Sequence, residues 1–150
     1  MPDSNQQYTK DKAMKERILS ILNKRQAVSL ATVEGDQPRL RPMTLIVKEG
    51  RFYFATGSTD EKTRQIDGNN KAEFCLLLPS GNNTGYLRGS GQMKKVQSMP
   101  EKKEVADWAQ FIYDYWKEAS DPDFVLYELE LRQIRYMEPG DMKETVMDWD

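Results

Sequence analysis

A corner of small and basic residues is the first part of the chain that could do chemistry. The stretch GRFYFATGSTDEKTRQI (residues 50–66) passes from an alternating aromatic run into small polar residues, and Lys62 and Arg64 follow at once. Ser58 and Glu61 have the spacing of a helix N-cap and its capping box. Free N–H groups at a helix start attract anions, and the two basic side chains could bind a phosphate. The alternative is a capped surface helix with a solvated Lys62, which the local pattern favours slightly, and both interpretations stay open.

A pair of arginines raises the same question. Arg39 and Arg41 lie two positions apart in RLRPMT, with Met43 next in the series, so in a strand all three share one face. Two like charges this close repel each other unless an anion or water separates them. A phosphate or carboxylate ligand would do so. Pairing with Glu34 or Asp36 across a hairpin is the alternative.

The absence of histidine restricts the chemistry of the whole chain. With no His and a single Cys, the sequence lacks the commonest general base, a histidine-based triad and the usual metal ligands. Cys75 lies in the apolar run AEFCLLL, which favours a buried, unreactive thiol. We therefore predict no metal site and assign no catalytic residue. A bound cofactor would have to supply any redox chemistry.

Composition and charge bound the remaining classes of function. The 150 residues carry a net charge of −2, although residues 37–66 alone hold six basic and three acidic side chains. A chain of this length forms one domain, to which we assign residues 1–150. No segment has the roughly 18 apolar residues of a membrane helix, and the polar start lacks the core of a secretion signal. We expect a cytoplasmic protein that binds neither membrane nor nucleic acid.

The elements that position these residues follow from hydrophobic periodicity. Helices are predicted at residues 9–23, at 60–67 and, as one long helix, after Pro100. Strands are predicted at residues 27–33, 39–48, 51–56, 72–78, 86–96 and 124–138. Pro42 cannot donate to a ladder and should lie at an edge or a bulge. Gly89 and Gly91 allow a bulge or a close backbone approach.

The second half of the chain holds most of the large aromatic side chains outside the strands. Val105, Trp108, Ile112 and Tyr115 fall on one face of the predicted long helix, with Phe111 and Trp116 beside it. We interpret the aromatic set as core or subunit interface. Asp121 and Asp123 flank Pro122 and are predicted to cap a turn. The acidic tail beyond Gly140 is predicted to be loosely ordered or to lie over a partner.

The order of the elements predicts the fold class. Strands arrive as adjacent hairpins with one short helix inserted, which argues against a doubly wound parallel sheet. A mainly β (α+β) protein is expected, built as a small antiparallel barrel with helices packed outside.

Taken together, these motifs resemble the pyridoxamine 5′-phosphate oxidase-like flavin-binding split-barrel family, and within it the general-stress-protein branch. The likeness rests on four blocks in order: VSLATVEGDQPRLRPMTLIV, FYFATGSTDEKTRQI, YLRGSG and WAQFIYDYWKEASDPDFVLYELEL. They cover most of residues 25–137. The resemblance implies a six-stranded split barrel that forms a homodimer, with flavin mononucleotide (FMN) at the dimer interface.

The resemblance also implies which residues hold the flavin. Arg41 would approach the phosphate or the ring, with Arg39 nearby, and Lys62 would bind the phosphate. The ring would be lined by the remaining strand residues, with further contacts from one side chain of the short helix and from one tryptophan of the other subunit: Pro42, Met43, Thr44, Ala55, Thr56, Gln65 and Trp108.

The chain departs from the family pattern before the phosphate-binding lysine. Family members often place a serine or arginine there, whereas this chain has Asp60 and Glu61. The oxidase's substrate-binding histidine is also missing, so we do not expect oxidation of pyridoxamine phosphate itself. The resemblance implies a flavin-dependent oxidoreductase acting on a small molecule with an electron donor. The alternatives are a non-enzymatic flavin carrier or stress sensor, a cofactor-free dimerisation barrel, or a binder of deazaflavin or haem, although histidine-ligated haem is excluded.

Overall fold

The computed structural model describes residues 4–149 and is mainly antiparallel β-sheet. Its helices are α1 (Ser4–Ile21), α2 (Glu61–Gly68), α3 (Met99–Trp108) and a 3-10 helix (Gln110–Asp114). Its strands are β1 (Arg25–Glu34), β2 (Gln37–Lys48), β3 (Arg51–Gly57), β4 (Lys71–Ser80), β5 (Asn83–Lys95), β6 (Phe124–Met137) and β7 (Thr145–Asp148). Within residues 4–149, no helix combines the length and the apolar character needed to cross a membrane.

Six of the strands close into a ring, as the sequence predicted. The sheet order is β3-β2-β1-β4-β5-β6-β7, and an additional pairing joins β3 to β6. Every pairing is antiparallel. The β2–β3 turn has positive φ at both Glu49 (51°) and Gly50 (73°), as a tight two-residue hairpin requires. The predicted fold class, an antiparallel α+β barrel, is confirmed.

The ring is opened between β2 and β3, which pair over three residues only. Ile46–Lys48 face Arg51–Tyr53, whereas β3 pairs with β6 along its other edge over Phe52–Gly57. Pro42 pairs with Ser29 of β1 but lies beyond the end of the β2–β3 ladder. Here β2 is locally an edge strand, which is where a proline is tolerated. The predicted edge position of Pro42 is confirmed, and the gap beside it becomes the candidate site.

The main core fills the inside of the ring. Phe52, Phe54, Phe74 and Tyr127 are each no more than 2% exposed. Helix α1 covers one end, with Ile18 buried and its other apolar residues (Met14, Leu19, Ile21) packed against the same cluster. The predicted amphipathic face of this helix is confirmed, although the helix ends at Ile21, two residues early.

The glycines of β5 make the close packing of this core possible. A Cβ at Gly89 would lie 2.4 Å from the Phe74 ring, and one at Gly91 would lie 2.0 Å from the Glu130 carbonyl oxygen. The β5–β6 register shifts between Ser90 and Gly91, which confirms the predicted bulge. Cys75, on the neighbouring β4, is half-buried rather than fully buried, and burial raises the pKa of its thiol.

The prediction of one long helix after Pro100 is wrong, because the α-helix ends at Trp108. The backbone leaves the α conformation at Ala109 (φ −109°, ψ 75°), and the 3-10 helix follows. The 3.6-residue periodicity therefore fails: Val105 and Ile112 are buried against β3 and β6, whereas Trp108 and Tyr115 are 37% and 74% exposed.

The prediction of a loosely ordered tail is also wrong, because the tail adds a seventh strand to the sheet. Residues of β7 pair with Gln133–Tyr136 of β6. Met147 and Trp149 alternate inward and are each 7% exposed, and the Trp149 ring meets Phe52 edge-on at 6.0 Å. The alternation of Met147 and Trp149 is hard to recognise in the sequence, because the segment is short and acidic residues surround it.

Candidate functional site

A cavity of about 450 Å³ lies in the gap where β2 and β3 diverge. One wall is the open edge of β2, and the other is the end of β3. Residues predicted for the flavin supply much of its lining, namely Pro42, Met43, Thr44, Ala55, Thr56 and Lys62. The five strand residues among them lie where β2 and β3 no longer pair with each other, which is why the strand backbone reaches the cavity.

Lys62 lies in the first turn of α2 and faces Asp60. The Lys62 ammonium Nζ donates to Asp60 Oδ2 across 2.6 Å, and the Lys62 backbone N–H donates to Oδ1 across 3.1 Å. Asp60 is thus the helix N-cap, and the prediction that Ser58 has this role is wrong. Aspartate caps at least as well as serine and adds a favourable charge at the helix start. The hydrogen bond from Lys62 lowers the pKa of the Asp60 carboxyl.

Ser58 instead ties the corner to the segment before β6. Its Oγ donates to Asp123 Oδ1 across 2.8 Å, while the indole N–H of Trp116 donates to Asp123 Oδ2 across 2.9 Å. Thr63 Oγ1 donates to the Gly57 carbonyl across 2.6 Å and so holds α2 to the end of β3. Asp121 accepts the Asp123 N–H, which confirms that this acid pair belongs to a turn.

Arg41 lies beside α2 rather than in the lining of the cavity. Its Nη2 donates to Gln65 Oε1 across 2.5 Å and its Nη1 to the Leu30 carbonyl across 3.2 Å. Gln65 is 4% exposed and also accepts a hydrogen bond from Thr32 Oγ1 across 2.8 Å. Both acceptors are neutral, and burial lowers the pKa of the Arg41 guanidinium. The positive charge of Arg41 is therefore fixed in position beside the start of α2 by two hydrogen bonds to neutral oxygens.

Two predicted site residues lie outside this group. Arg39 pairs with Glu34 across 2.9 Å, which is the alternative left open by the sequence. Trp108 donates its indole N–H to the Val47 carbonyl across 2.9 Å, and the Lys24 ammonium lies 4.1 Å from its ring centre. It borders a separate cavity, so the structure of one protomer does not bring it to the gap between β2 and β3.

The sequence did not indicate the aromatic wall of the cavity. Phe111, Tyr115 and Trp116 line it on the side away from β2, because the break at Ala109 turns the 3-10 segment toward β3. The Trp116 ring is fixed against Phe124 at 5.1 Å. Asp123 orients Trp116, but no residue in the sequence marks the backbone break at Ala109 that brings the wall to the cavity.

The combined arrangement suits a flat molecule that carries an anionic group. Strand edges offer backbone hydrogen-bonding groups, Phe111 and Trp116 offer apolar ring faces, and Lys62 stands at the helix start. A volume of this size lies in the range of small-molecule sites, about 300–1,000 Å³. Cys75 is absent from the lining, and within residues 4–149 no cluster of acidic or cysteine side chains could hold a metal ion.

Comparison with known proteins places the chain in a family. The sequence model of the pyridoxamine 5′-phosphate oxidase family matches residues 14–138. General stress protein 26 of Bacillus subtilis (strain 168) is 26% identical over 129 residues, which cover 85% of this chain and 91% of that protein.

Solved structures show the same fold. A NimC/NimA family protein from Clostridium acetobutylicum superposes with a TM-score of 0.75 at 20% identity, covering 90% of this chain and 92% of that one. General stress protein 26 from Bacillus anthracis str. Sterne superposes with a TM-score of 0.72 at 21% identity, covering 91% and 98%. The chain belongs to the pyridoxamine 5′-phosphate oxidase family.

Proposed function

We propose that the chain is an FMN-binding flavoprotein, a homodimeric oxidoreductase that acts on a small molecule. The observation that carries the proposal is the cavity between β2 and β3, where two open strand edges meet Lys62 at one corner and aromatic rings on the far wall. Residues 1–150 would form one domain, and the single cysteine favours the reducing cytoplasm.

The residues of the cavity fit the parts of FMN. Pro42–Thr44 and Ala55–Thr56 would flank the ring, whose polar edge needs backbone donors and acceptors. Lys62 would bind the phosphate, with Arg41 adding positive charge from behind the corner. Gln65 would act through Arg41, which it orients. A bound flavin supplies hydride or electron transfer, and the chain binds it, orients it and excludes water.

A second copy of the chain would complete the site. Leu40 shares a sheet face with Ala31 and Glu73, and Pro42 shares that face with Ser29 and Cys75. Leu40 and Leu77 on this outer face are 71% and 64% exposed. Because Pro42 also lines the cavity, a partner seated on the face would close one side of it. Trp108 would reach the flavin from the partner subunit, and Arg39 would lie near the site beside Arg41.

The test is to purify the chain, denature it and identify any flavin released. We expect FMN, and we expect apoprotein to regain it at micromolar concentration. A colourless protein that cannot be reconstituted overturns the proposal. Reduction by a nicotinamide donor in a stopped-flow instrument then separates an oxidoreductase from a flavin carrier, because a carrier turns over no acceptor.

A further inference from the structure

Asp60 occupies the position that an anionic ligand would take at the corner. Its two carboxylate oxygens accept from the backbone N–H and the ammonium of Lys62, at 3.1 and 2.6 Å. The side chain also lines the cavity itself. The strongest attractive groups available to a ligand phosphate, a helix-start N–H and a lysine ammonium, are therefore already satisfied by the chain.

Two basic side chains act on the Asp60 carboxylate at this corner. Besides Lys62, the Arg41 guanidinium acts on the Asp60 carboxylate, although its own hydrogen bonds go to the neutral oxygens of Gln65 and Leu30. A ligand phosphate that approaches Lys62 must either displace the Asp60 carboxylate or remain beside a like charge. Both cost binding free energy, whereas an unphosphorylated ligand meets neither cost.

We propose that Asp60 is a specificity-determining residue, an internal anion that competes with the ligand phosphate for Lys62 and so narrows the preference for FMN over riboflavin. The inference rests on the proposed function, since it concerns the flavin held in the same cavity. Asp60 would then have two roles: it caps α2, and its negative charge disfavours ligands that carry a phosphate.

The substitution Asp60→Asn separates the two roles. Asparagine caps a helix about as well as aspartate, so α2 keeps its start while the negative charge is removed. Glu61→Gln is the matched control, because it makes the same change in net charge one residue away. The Glu61 side chain is 67% exposed and its nearest basic partner is Arg64, not Lys62. Asp60→Ser is the second variant if the first fails to fold.

The experiment measures the dissociation constants of FMN and of riboflavin for the three apoproteins by quenching of flavin fluorescence. We expect Asp60→Asn to tighten FMN binding at least about tenfold and to change riboflavin binding less than about twofold. The FMN-to-riboflavin preference of Glu61→Gln should stay within about twofold of the unmodified chain.

An unchanged preference in Asp60→Asn, with flavin still bound, overturns this inference and leaves the proposed function standing. An equal gain in FMN affinity in Glu61→Gln also overturns the inference, because the change in net charge alone would then explain the result. If none of the proteins binds either flavin, the proposed function fails and the inference fails with it.

Discussion

Arg41 and Gln65 form a hydrogen bond of 2.5 Å between the guanidinium Nη2 and the amide Oε1. The same oxygen accepts from the Thr32 hydroxyl, so one buried amide joins β1, β2 and α2. This contact links the strand that carries Arg39 and Arg41 to the helix that carries Lys62 and Arg64. It makes Gln65 a positioning residue, since it acts through Arg41.

Replacement of Gln65 by leucine should destabilise the chain. The substitution leaves the Thr32 hydroxyl and the Arg41 Nη2 group without their acceptor, at a cost of about 1–3 kcal/mol in the free energy of unfolding. Urea denaturation measures the change. Gln37→Leu is the control, because Gln37 is exposed and bonds only to its neighbouring carbonyl. Equal stability of the two variants would contradict the account.

Replacement of Lys62 by glutamine should weaken FMN binding selectively. Loss of a charge-assisted hydrogen bond costs about 2 kcal/mol, or roughly thirtyfold in the dissociation constant. Riboflavin, which has no phosphate, should lose much less. Arg64→Gln removes the same charge from a side chain that is 75% exposed, so its affinity for FMN should change little. A comparable loss in both variants would show that Lys62 contributes only general charge.

The barrel and its corner could be predicted because short-range patterns determine them. Alternation in β1–β3, the Glu49-Gly50 turn and the glycines of β5 act locally. The aromatic wall could not be predicted, since it depends on a backbone break at Ala109 that no residue in the sequence marks. Arg39 and Arg41 looked alike in the sequence. Only the packing of α2 gives one of them a buried partner, Gln65, and leaves the other to Glu34.

The outer face that carries Leu40 and Leu77 should hold two copies together. We expect sedimentation analysis to give twice the chain mass for the unmodified protein and the single mass for Leu40→Asp, because a buried unpaired carboxylate opposes association. Met142→Asp is the control, since Met142 is 98% exposed and outside this face. A monomeric unmodified protein, or a dimer that survives Leu40→Asp, would contradict the proposed interface.

Asp123 should give the corner a dependence on pH. Hydrogen bonds from the Trp116 indole and then from Ser58 lower the pKa of its carboxyl below the ordinary value of about 3.9. Such a group stabilises the fold above its unfolded pKa, and the stabilisation is lost as the pH falls through the folded pKa. Asp123→Asn should therefore be less stable than the unmodified chain at neutral pH, and the difference should shrink below about pH 4.

Urea titrations across this pH range measure the difference in the free energy of unfolding between Asp123→Asn and the unmodified chain. The unmodified chain and the variant converge in strongly acidic solution if the carboxylate is the cause. A difference that stays constant from neutral pH to about pH 3 would mean that the negative charge of the carboxylate is not the cause.

A crystal structure of the chain grown with FMN would show whether the gap between β2 and β3 holds the flavin. We expect density for the flavin ring between Pro42–Thr44 and Ala55–Thr56, with the phosphate at Lys62 and the Asp60 carboxylate moved away from its contact with Lys62. An empty gap at saturating FMN, or flavin bound elsewhere on the chain, would contradict it.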